Sequence, residues 1–441
     1  MKRVYPAHAY SEAPRENCYW PTTHDAPPSP PARGTLTADV AVIGGGFTGL
    51  SAALHLAQAG ADVIVLEAQD IGWGASGRNG GFCCLGGSAA SDAMLTRSFG
   101  ENARRAFRMC ERAAVELAEG LIDAHGMEVD RHSDGETVMA HSKAAAQGFE
   151  KQIEDIERDY GVTPTIHTQQ DLRDLGMNGP FFGAMTKPIG FALNPLKYVQ
   201  GLATAVRAAG VRVFGQSPVQ RIDHGSGFTL LTAQARINAR RMIVATNGYS
   251  SDDLPDWMAA RYLPTQSNVI VTREMTEDEI AAQGWSTHQA CYDDRFFLHY
   301  FRLMPNRRML FGMRGGLFSG DWADRRMQGN IRGHFERMFP AWKDVETPHG
   351  WHGLLSISRD LTPYVGPIDT MPGAFTGLSY HGNGVAMASY AGALLADLAM
   401  DRTPVRPYPE IMQRPPRKWP LGRLRRAWFW PIYGAAWLTG Q

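Results

Sequence analysis

The sequence predicts an α/β (α+β) protein in which a Rossmann-type nucleotide unit is interleaved with a second domain built on a mixed or antiparallel sheet. Three observations carry this. A strand, a glycine turn, a helix and a second strand follow one another from Ala38. Elements of the same kind return near 195–250 and again near 350–400. Between them, residues 262–316 are strand-rich in a hairpin pattern.

In chain order, residues 1–37 form an extension whose "APPSPPARG", 26–34, is too proline-rich for a helix and reads as an extended strap. Ala38–Ile43 is a β-branched run fit for a buried parallel strand. Gly44, Gly46 and Gly49 make a G-x-G-x-x-G turn. The first permits the tight turn, the second lets backbone approach a pyrophosphate, and the third lets the next helix pack on the strand. That helix, about 48–59, stops at Gly60. Its N-terminus offers free N–H groups and partial positive charge to a phosphate. The strand 62–66 ends at Glu67, where an acid about twenty residues past the first glycine accepts ribose hydroxyls.

A long helix is expected from Ser91 to His125, with Met94, Phe99, Phe107, Ala114 and Leu117 apolar. Then come a strand at Glu136–Ala140, a charged helix over 144–159 and a turn at Pro188–Gly190. Residues 193–222 read as helix, stop at Gly210, strand, turn and strand. "RRMIVATNGY", 240–249, is a buried strand ending in Asn-Gly. A hairpin turns at Pro305-Asn306, a helix lies near 325–338, and 364–400 is loop, strand, glycine turn and helix.

A chain of 441 residues is long enough for two or three domains. Lysine plus arginine equals aspartate plus glutamate, 44 each, which argues against a nucleic-acid partner. Five scattered cysteines suggest reduced thiols and a cytoplasmic setting. No apolar run is long enough for a transmembrane span, and the polar, proline-rich start is unlike a signal peptide. Without H-E-x-x-H, C-x-x-C or a Walker lysine, neither metal nor P-loop chemistry is expected. A nicotinamide-binding domain is usually contiguous. The interleaved order with a late glycine turn suits a longer, bipartite flavin dinucleotide, FAD.

These residues resemble a known family. "ADVAVIGGGFTGLSAALHLAQAGADVIVLEAQDIGWGASGRNGGF", 38–82, is similar to the opening of FAD-dependent oxidoreductases of the D-amino-acid-oxidase superfamily. "GASGRNGG", 74–81, is nearest the γ-glutamylputrescine oxidase-like branch. "LNPLKYVQGLATAVRAAGV", "IVATNGY", "YFRLMPNRRMLFGMR" and "LSYHGNGVAMASYAGALLADL" follow that pattern in order. The resemblance implies an FAD-binding domain over 38–126, 193–255 and 350–405, a substrate domain over 127–192 and 256–349, and a basic-aromatic tail over 406–441.

It also implies roles. Gly44, Gly46, Thr48 and Gly49 would hold the pyrophosphate and Glu67 the adenosine ribose. Ser76, Gly77, Arg78, Asn79, Gly80 and Gly81 would pass along the isoalloxazine. Val219 would meet adenine, and Ala245, Thr246 and Asn247 would close over the ADP half; an ordinary strand and turn is the alternative for these four. At the late turn, Gly382, Gly384 and Val385 would set a helix N-terminus against the flavin's pyrimidine edge, where reduced flavin carries negative charge. A plain helix start is the competing reading.

The implied reaction is hydride transfer from the α-carbon of an amine to flavin N5, followed by imine hydrolysis, with oxygen or an electron carrier as acceptor. Tyr300, Arg302 and Arg314 are candidates for the substrate face, with packing as the alternative for each. His381 is a candidate catalyst that also suits a structural hydrogen-bonder. Amino-acid-oxidising relatives tend to carry Trp-x-Gly-Leu-Arg-Pro before the late strand, and its arginine can pair with a carboxylate. Here the stretch is Trp351-His-Gly-Leu-Leu355-Ser356. That favours a γ-glutamylputrescine-like or other primary or secondary amine over the alternative, a D-amino acid or N-methyl (sarcosine-type) amino acid. Cys83 and Cys84 are read as inert thiols rather than flavin attachment points. Residues 411–441 have no acid and carry Arg414, Arg417, Lys418, Arg423, Arg425 and Arg426 before "AWFWPIY"; packing on the body competes with weak contact to a membrane surface. An NAD(P)-dependent dehydrogenase and a non-catalytic flavin-fold protein remain the readings from other classes.

Overall fold

The computed structural model describes residues 1–431; the end of the tail, 432–441, lies outside the described residues. Two eight-stranded sheets organise the chain. At the centre of the first, Gly34–Ile43 runs parallel to Ala235–Val244 on one side and Val63–Leu66 on the other. Arg212–Phe214 and Ala374–Leu378 extend it, both parallel, and Tyr364–Pro367 closes one edge antiparallel. Arg221–His224 and Phe228–Leu231 attach to the first half of Ala235–Val244 as an antiparallel ribbon.

All four side chains of Val63–Leu66 are buried, as a parallel strand covered on both faces requires. Burial of such a side chain is worth about 1.5–3 kcal/mol. Helices Phe47–Gln58, Pro195–Ala208 and Gly384–Ala399 pack together on one face. A Cβ at Gly392 would stand 2.4 Å from the Thr48 carbonyl oxygen, so only glycine lets the last helix cross the first so closely. Ser51 Oγ donates to the Ser389 carbonyl at 2.6 Å and Thr48 Oγ1 meets Tyr380 Oη at 2.9 Å. The crossing brings the N-terminal turns of two helices toward one cavity.

The second sheet runs His349–Ile357, Leu263–Val271, Met309–Arg314, His299–Leu303, Ala290–Asp293, Glu136–Met139, Gly183–Lys187 and Thr165–Thr168. Neighbours are antiparallel except Ala290–Asp293 beside Glu136–Met139. Strand alternation divides its faces. Ile270, Phe301 and Phe311 enter an aromatic core with Phe335 and Phe339, whereas Val269, Tyr300 and Ser267 line the cavity.

Several elements differ from the sequence reading. The expected helix 91–125 is two, Asp92–Phe99 and Glu101–Ala124, parted at Gly100 with φ +84°. The charged helix over 144–159 is split by a 3-10 turn at Glu150–Gln152. The first strand begins at Gly34, four residues early, because Gly34–Thr37 find partners in Ala235–Asn238. Helix Glu277–Gln283, closed by a Thr276/Glu279 capping box, falls inside the region read as strands. Residues 350–357, read with the nucleotide unit, belong to strand His349–Ile357, which pairs along its whole length with Leu263–Val271 of the second sheet. Among the described residues no helix is long and apolar enough to cross a membrane. The described tail is anchored to the body: Arg425 is fully buried and donates to both carboxylate oxygens of Asp252 and to the Tyr262 carbonyl.

Candidate active site

One cavity runs between the two sheets from Glu67 and Val219 at one end to Arg314 and Gly382 at the other. The glycine turn forms part of its wall. Gly44 has φ +112°, and a Cβ there would stand 2.7 Å from the Ala245 carbonyl oxygen. A Cβ on Gly46 would stand 2.8 Å from Ser76 Oγ, which accepts the Phe47 N–H at 3.0 Å. Helix Phe47–Gln58 is N-capped by Gly46, which brings no capping side chain, so its first turn presents N–H groups suited to an anion. Glu67 is held by N–H bonds from Gly45 to Oε2 at 2.7 Å and from Gln69 to Oε1 at 3.0 Å. Burial raises its pKa and these backbone donors oppose the rise. Each oxygen keeps a further lone pair for a hydroxyl donor. The donors and the carboxylate therefore fit the pyrophosphate and ribose of FAD.

The loop after the second strand forms the middle of the wall. Asn79 shapes it: Nδ2 donates to the Ala75 and Ser76 carbonyls, and Oδ1 accepts the Gly81 N–H at 2.7 Å. Arg78 is 3 % exposed, donates twice to the Trp73 carbonyl and stacks on the Trp73 ring; burial lowers its pKa. Of the residues expected along the cofactor, Gly44, Gly46, Thr48, Glu67, Ser76, Arg78, Asn79, Gly80, Val219, Ala245, Thr246, Asn247, Gly382, Gly384 and Val385 border the cavity. Gly49, Gly77 and Gly81 do not. Their missing Cβ atoms would lie 2.0–2.3 Å from the carbonyl oxygens of Gly44, Gly72 and Leu193, so these three glycines permit backbone packing beneath the site.

The late turn closes the far end. Helix Gly384–Ala399 starts at Asn383 without a side-chain cap, leaving its first N–H groups toward the cavity. Asn383 Nδ2 is committed to the Leu85 carbonyl at 2.6 Å. His381 lines the cavity, but its ring is engaged on both edges. Nδ1 lies 3.0 Å from the Gly87 carbonyl, and Nε2 lies 3.3 Å from the Ser358 N–H. These partners assign an Nδ1–H tautomer with Nε2 as acceptor. Burial pushes its pKa down to about 4. This is a neutral ring that holds the turn, and the geometry gives it no free lone pair for catalysis.

The three substrate-face candidates separate. Tyr300 lies flat over Gly312, where a Cβ would fall 2.0 Å from its ring, and its hydroxyl meets Ser267 Oγ at 2.9 Å. Arg314 lines the cavity and rests on Gly382, 2.7 Å from the site of a Cβ there. Its guanidinium donates one long hydrogen bond, 3.4 Å to Asn383 Oδ1, and among the described residues no carboxylate pairs with it. Burial lowers its pKa. Arg302 is different. It is fully buried outside the cavity wall and donates to the carbonyls of Gly81 at 2.8 Å and Leu193 at 2.7 Å, and burial pushes its pKa down to about 9. It ties the 74–81 loop to the turn before helix Pro195–Ala208, a role that two-residue strand spacing cannot distinguish from substrate contact.

Leu355 borders the cavity, as do Tyr292 and Cys84, which the sequence reading did not single out as substrate-facing. Cys83 is fully buried, and burial raises both neighbouring thiols, so each stays protonated. All five cysteines are unbridged. Met1, Arg3 and Tyr10 of the N-terminal extension also form part of the wall; no motif marks them.

With this geometry in place, comparison with known proteins is direct. The family described as FAD dependent oxidoreductase (DAO) matches residues 39–398. The chain is similar to gamma-glutamylputrescine oxidoreductase of Escherichia coli, 33% identical over 367 residues, 82% of this chain and 84% of that protein. It is also similar to the probable oxidoreductase OrdL of Rhizobium meliloti, 30% identical over 395 residues, 89% of this chain and 90% of that one. Among solved structures, glycine oxidase from Geobacillus kaustophilus superposes with a TM-score of 0.68 at 19% identity, over 84% of this chain and 96% of that chain.

Proposed function

The chain belongs to the DAO family of FAD-dependent oxidoreductases, and from this we propose that it oxidises an amine whose carboxylate lies away from the reacting carbon. A γ-glutamylputrescine-like amine is the best candidate. FAD, which the Gly44–Gly49 turn and Glu67 would hold, would supply a two-electron acceptor for hydride from the amine's α-carbon, leaving an imine for water to hydrolyse. The observation that supports this substrate is the pair Leu355 and Arg314. Leu355 borders the cavity; by the family resemblance it stands where amino-acid-oxidising relatives tend to carry an arginine, and leucine offers an α-carboxylate no partner. Arg314 presents an uncompensated guanidinium elsewhere in the same cavity. A buried charge without a partner is costly, and a ligand carboxylate removes that cost while accepting two parallel N–H bonds. A simple diamine, cationic at both ends, would meet repulsion instead.

In this arrangement Tyr300, braced by Ser267 and Gly312, gives the substrate a rigid wall, and Leu355 keeps the reacting carbon in an apolar setting. The relative from Escherichia coli is named for γ-glutamylputrescine, which carries such a remote carboxylate. The test is anaerobic bleaching of the flavin absorbance. γ-Glutamylputrescine should bleach it faster than putrescine, glycine or D-alanine. Efficient bleaching by D-alanine or glycine, with none by γ-glutamylated or simple amines, would overturn the reading.

The N-terminus of helix Gly384–Ala399 is proposed to favour negative charge on the flavin's pyrimidine edge. Gly384→Val probes this: a Cβ there meets only Tyr380, at 3.7 Å, so the fold should survive, while the side chain should push the helix N–H groups away from a bound flavin. The variant should keep FAD, lower the flavin's reduction potential and slow its reduction by substrate about a hundredfold, the usual effect of losing one preorganised donor. Potentiometric titration beside anaerobic stopped-flow reduction checks it; parental values for both would remove the helix from this role.

A further inference from the structure

The N-terminal extension, read from the sequence as lying outside the cofactor unit, is fastened across the cavity. Tyr5, Ala9 and Tyr10 are buried in a small cluster with Leu354 and Tyr249. The Lys2 N–H donates to Asp253 Oδ1 at 2.7 Å, and the Asp252 N–H returns a bond to the Lys2 carbonyl at 2.9 Å. His8 Nε2 lies 2.7 Å from Asp324 Oδ2. Farther along, Trp20 Nε1 donates to the carbonyl of Asn79, inside the flavin loop, at 2.8 Å. Such a wall is built from specific bonds to both halves of the protein.

Arg3 borders the cavity from this arm. Its guanidinium stacks on the Tyr10 ring, 4.3 Å from the centroid, and its buried Nε has no hydrogen-bond partner. Among the described residues it makes no ion pair, although two acids stand near the arm. Asp252 is taken on both oxygens by Arg425, and Asp253 by the Lys2 N–H and the chain's terminal amino group. Three arginines border the cavity, and among the described residues none of them has an ion pair; Arg78 is committed to the Trp73 carbonyl, which leaves Arg3 and Arg314 at different places. Arg314 rests on the late turn. Arg3 follows Lys2, whose main chain bonds that of Asp252 in the segment after Ala245–Thr246; that segment abuts Gly44, its Thr246 hydroxyl bonds Ser250, and Ser250 and Ser251 line the cavity with Arg3.

We propose that the N-terminal arm is part of the FAD site and that Arg3 supplies a cation to the pyrophosphate. The pyrophosphate is the anionic group of oxidised FAD, and Arg3 is the charged side chain that the arm brings to its half of the cavity. The glycine turn and the helix N-terminus bind that anion with neutral donors; Arg3 adds the formal positive charge they lack. The inference stands apart from the choice of substrate.

The test is the rate of FAD release from purified holoprotein, followed by the appearance of free-flavin fluorescence. Arg3→Gln keeps a planar polar group over Tyr10 but removes the charge. It should release FAD about tenfold faster or more, the scale of one lost charge-assisted bond. Arg3→Lys should recover part of the retention. With flavin kept saturating, the KM for an amine substrate should stay at the parental value in both variants. Release from Arg3→Gln at the parental rate, or from Arg3→Lys as fast as from Arg3→Gln, would overturn the proposal. A raised KM with parental FAD release would place Arg3 at the substrate instead.

Discussion

Gly46→Val should purify with little or no flavin. A Cβ at this position falls 2.8 Å from Ser76 Oγ. The larger side chain would displace the hydroxyl that takes the Phe47 N–H and would fill the wall where the pyrophosphate is proposed to lie. Glu67→Ala should act in the same direction by a different route. It removes the proposed ribose acceptor and releases the N–H groups of Gly45 and Gln69, which hold the turn to the end of the second strand. Gly120→Ala is the control: its added Cβ meets nothing within 4 Å, and alanine in a helix interior is favoured over glycine by roughly 0.5–1 kcal/mol. The ratio of flavin to protein absorbance in each purified variant decides. Full flavin occupancy in Gly46→Val would remove this turn from the cofactor site.

Arg314→Met should separate substrates by charge. For an amine with a remote carboxylate, KM should rise on the order of a hundredfold, about 3 kcal/mol, because the variant loses a buried charge-assisted contact. For the same amine with its carboxylate converted to a carboxamide, KM should change little or fall. The fold should not suffer: replacing an unpaired half-buried cation by an apolar side chain of similar length removes a desolvation cost. FAD content should also hold, since Arg314 rests on Gly382 at the end of the cavity opposite Glu67. Equal KM changes for the two substrates would show that Arg314 does not read the carboxylate.

The two expected results bear on parts of the site that differ in how far the sequence reveals them. The glycine turn and Glu67 are local. Strand, turn, helix and strand are each specified by neighbours within a few residues, and φ +112° at Gly44 is a demand that sequence states openly by using glycine. Arg314 is not local in this sense. Tyr300, Arg302 and Arg314 share one hairpin, and its turn and pairing follow the sequence reading. Yet Arg302 disappears beneath the 74–81 loop while Arg314 opens on the cavity. Strand periodicity assigns a side chain to a face; which segment later covers that face depends on contacts more than a hundred residues away.

By itself, then, the sequence determined the strand–turn–helix–strand dinucleotide unit and the late glycine turn, because each rests on short-range propensity and backbone geometry; the order of the elements and the family resemblance pointed to FAD. Tertiary structure decided the rest. It broke the helix at Gly100, moved His349–Ile357 into the second sheet, engaged both nitrogens of His381 and wrapped the N-terminal arm over the cavity. The last three share one physical reason. A buried polar group must find a partner and a strand edge must find a neighbour. Those partners, Gly87 for His381, Leu263–Val271 for the late strand and Asp253 for Lys2, lie far away in sequence and close in space.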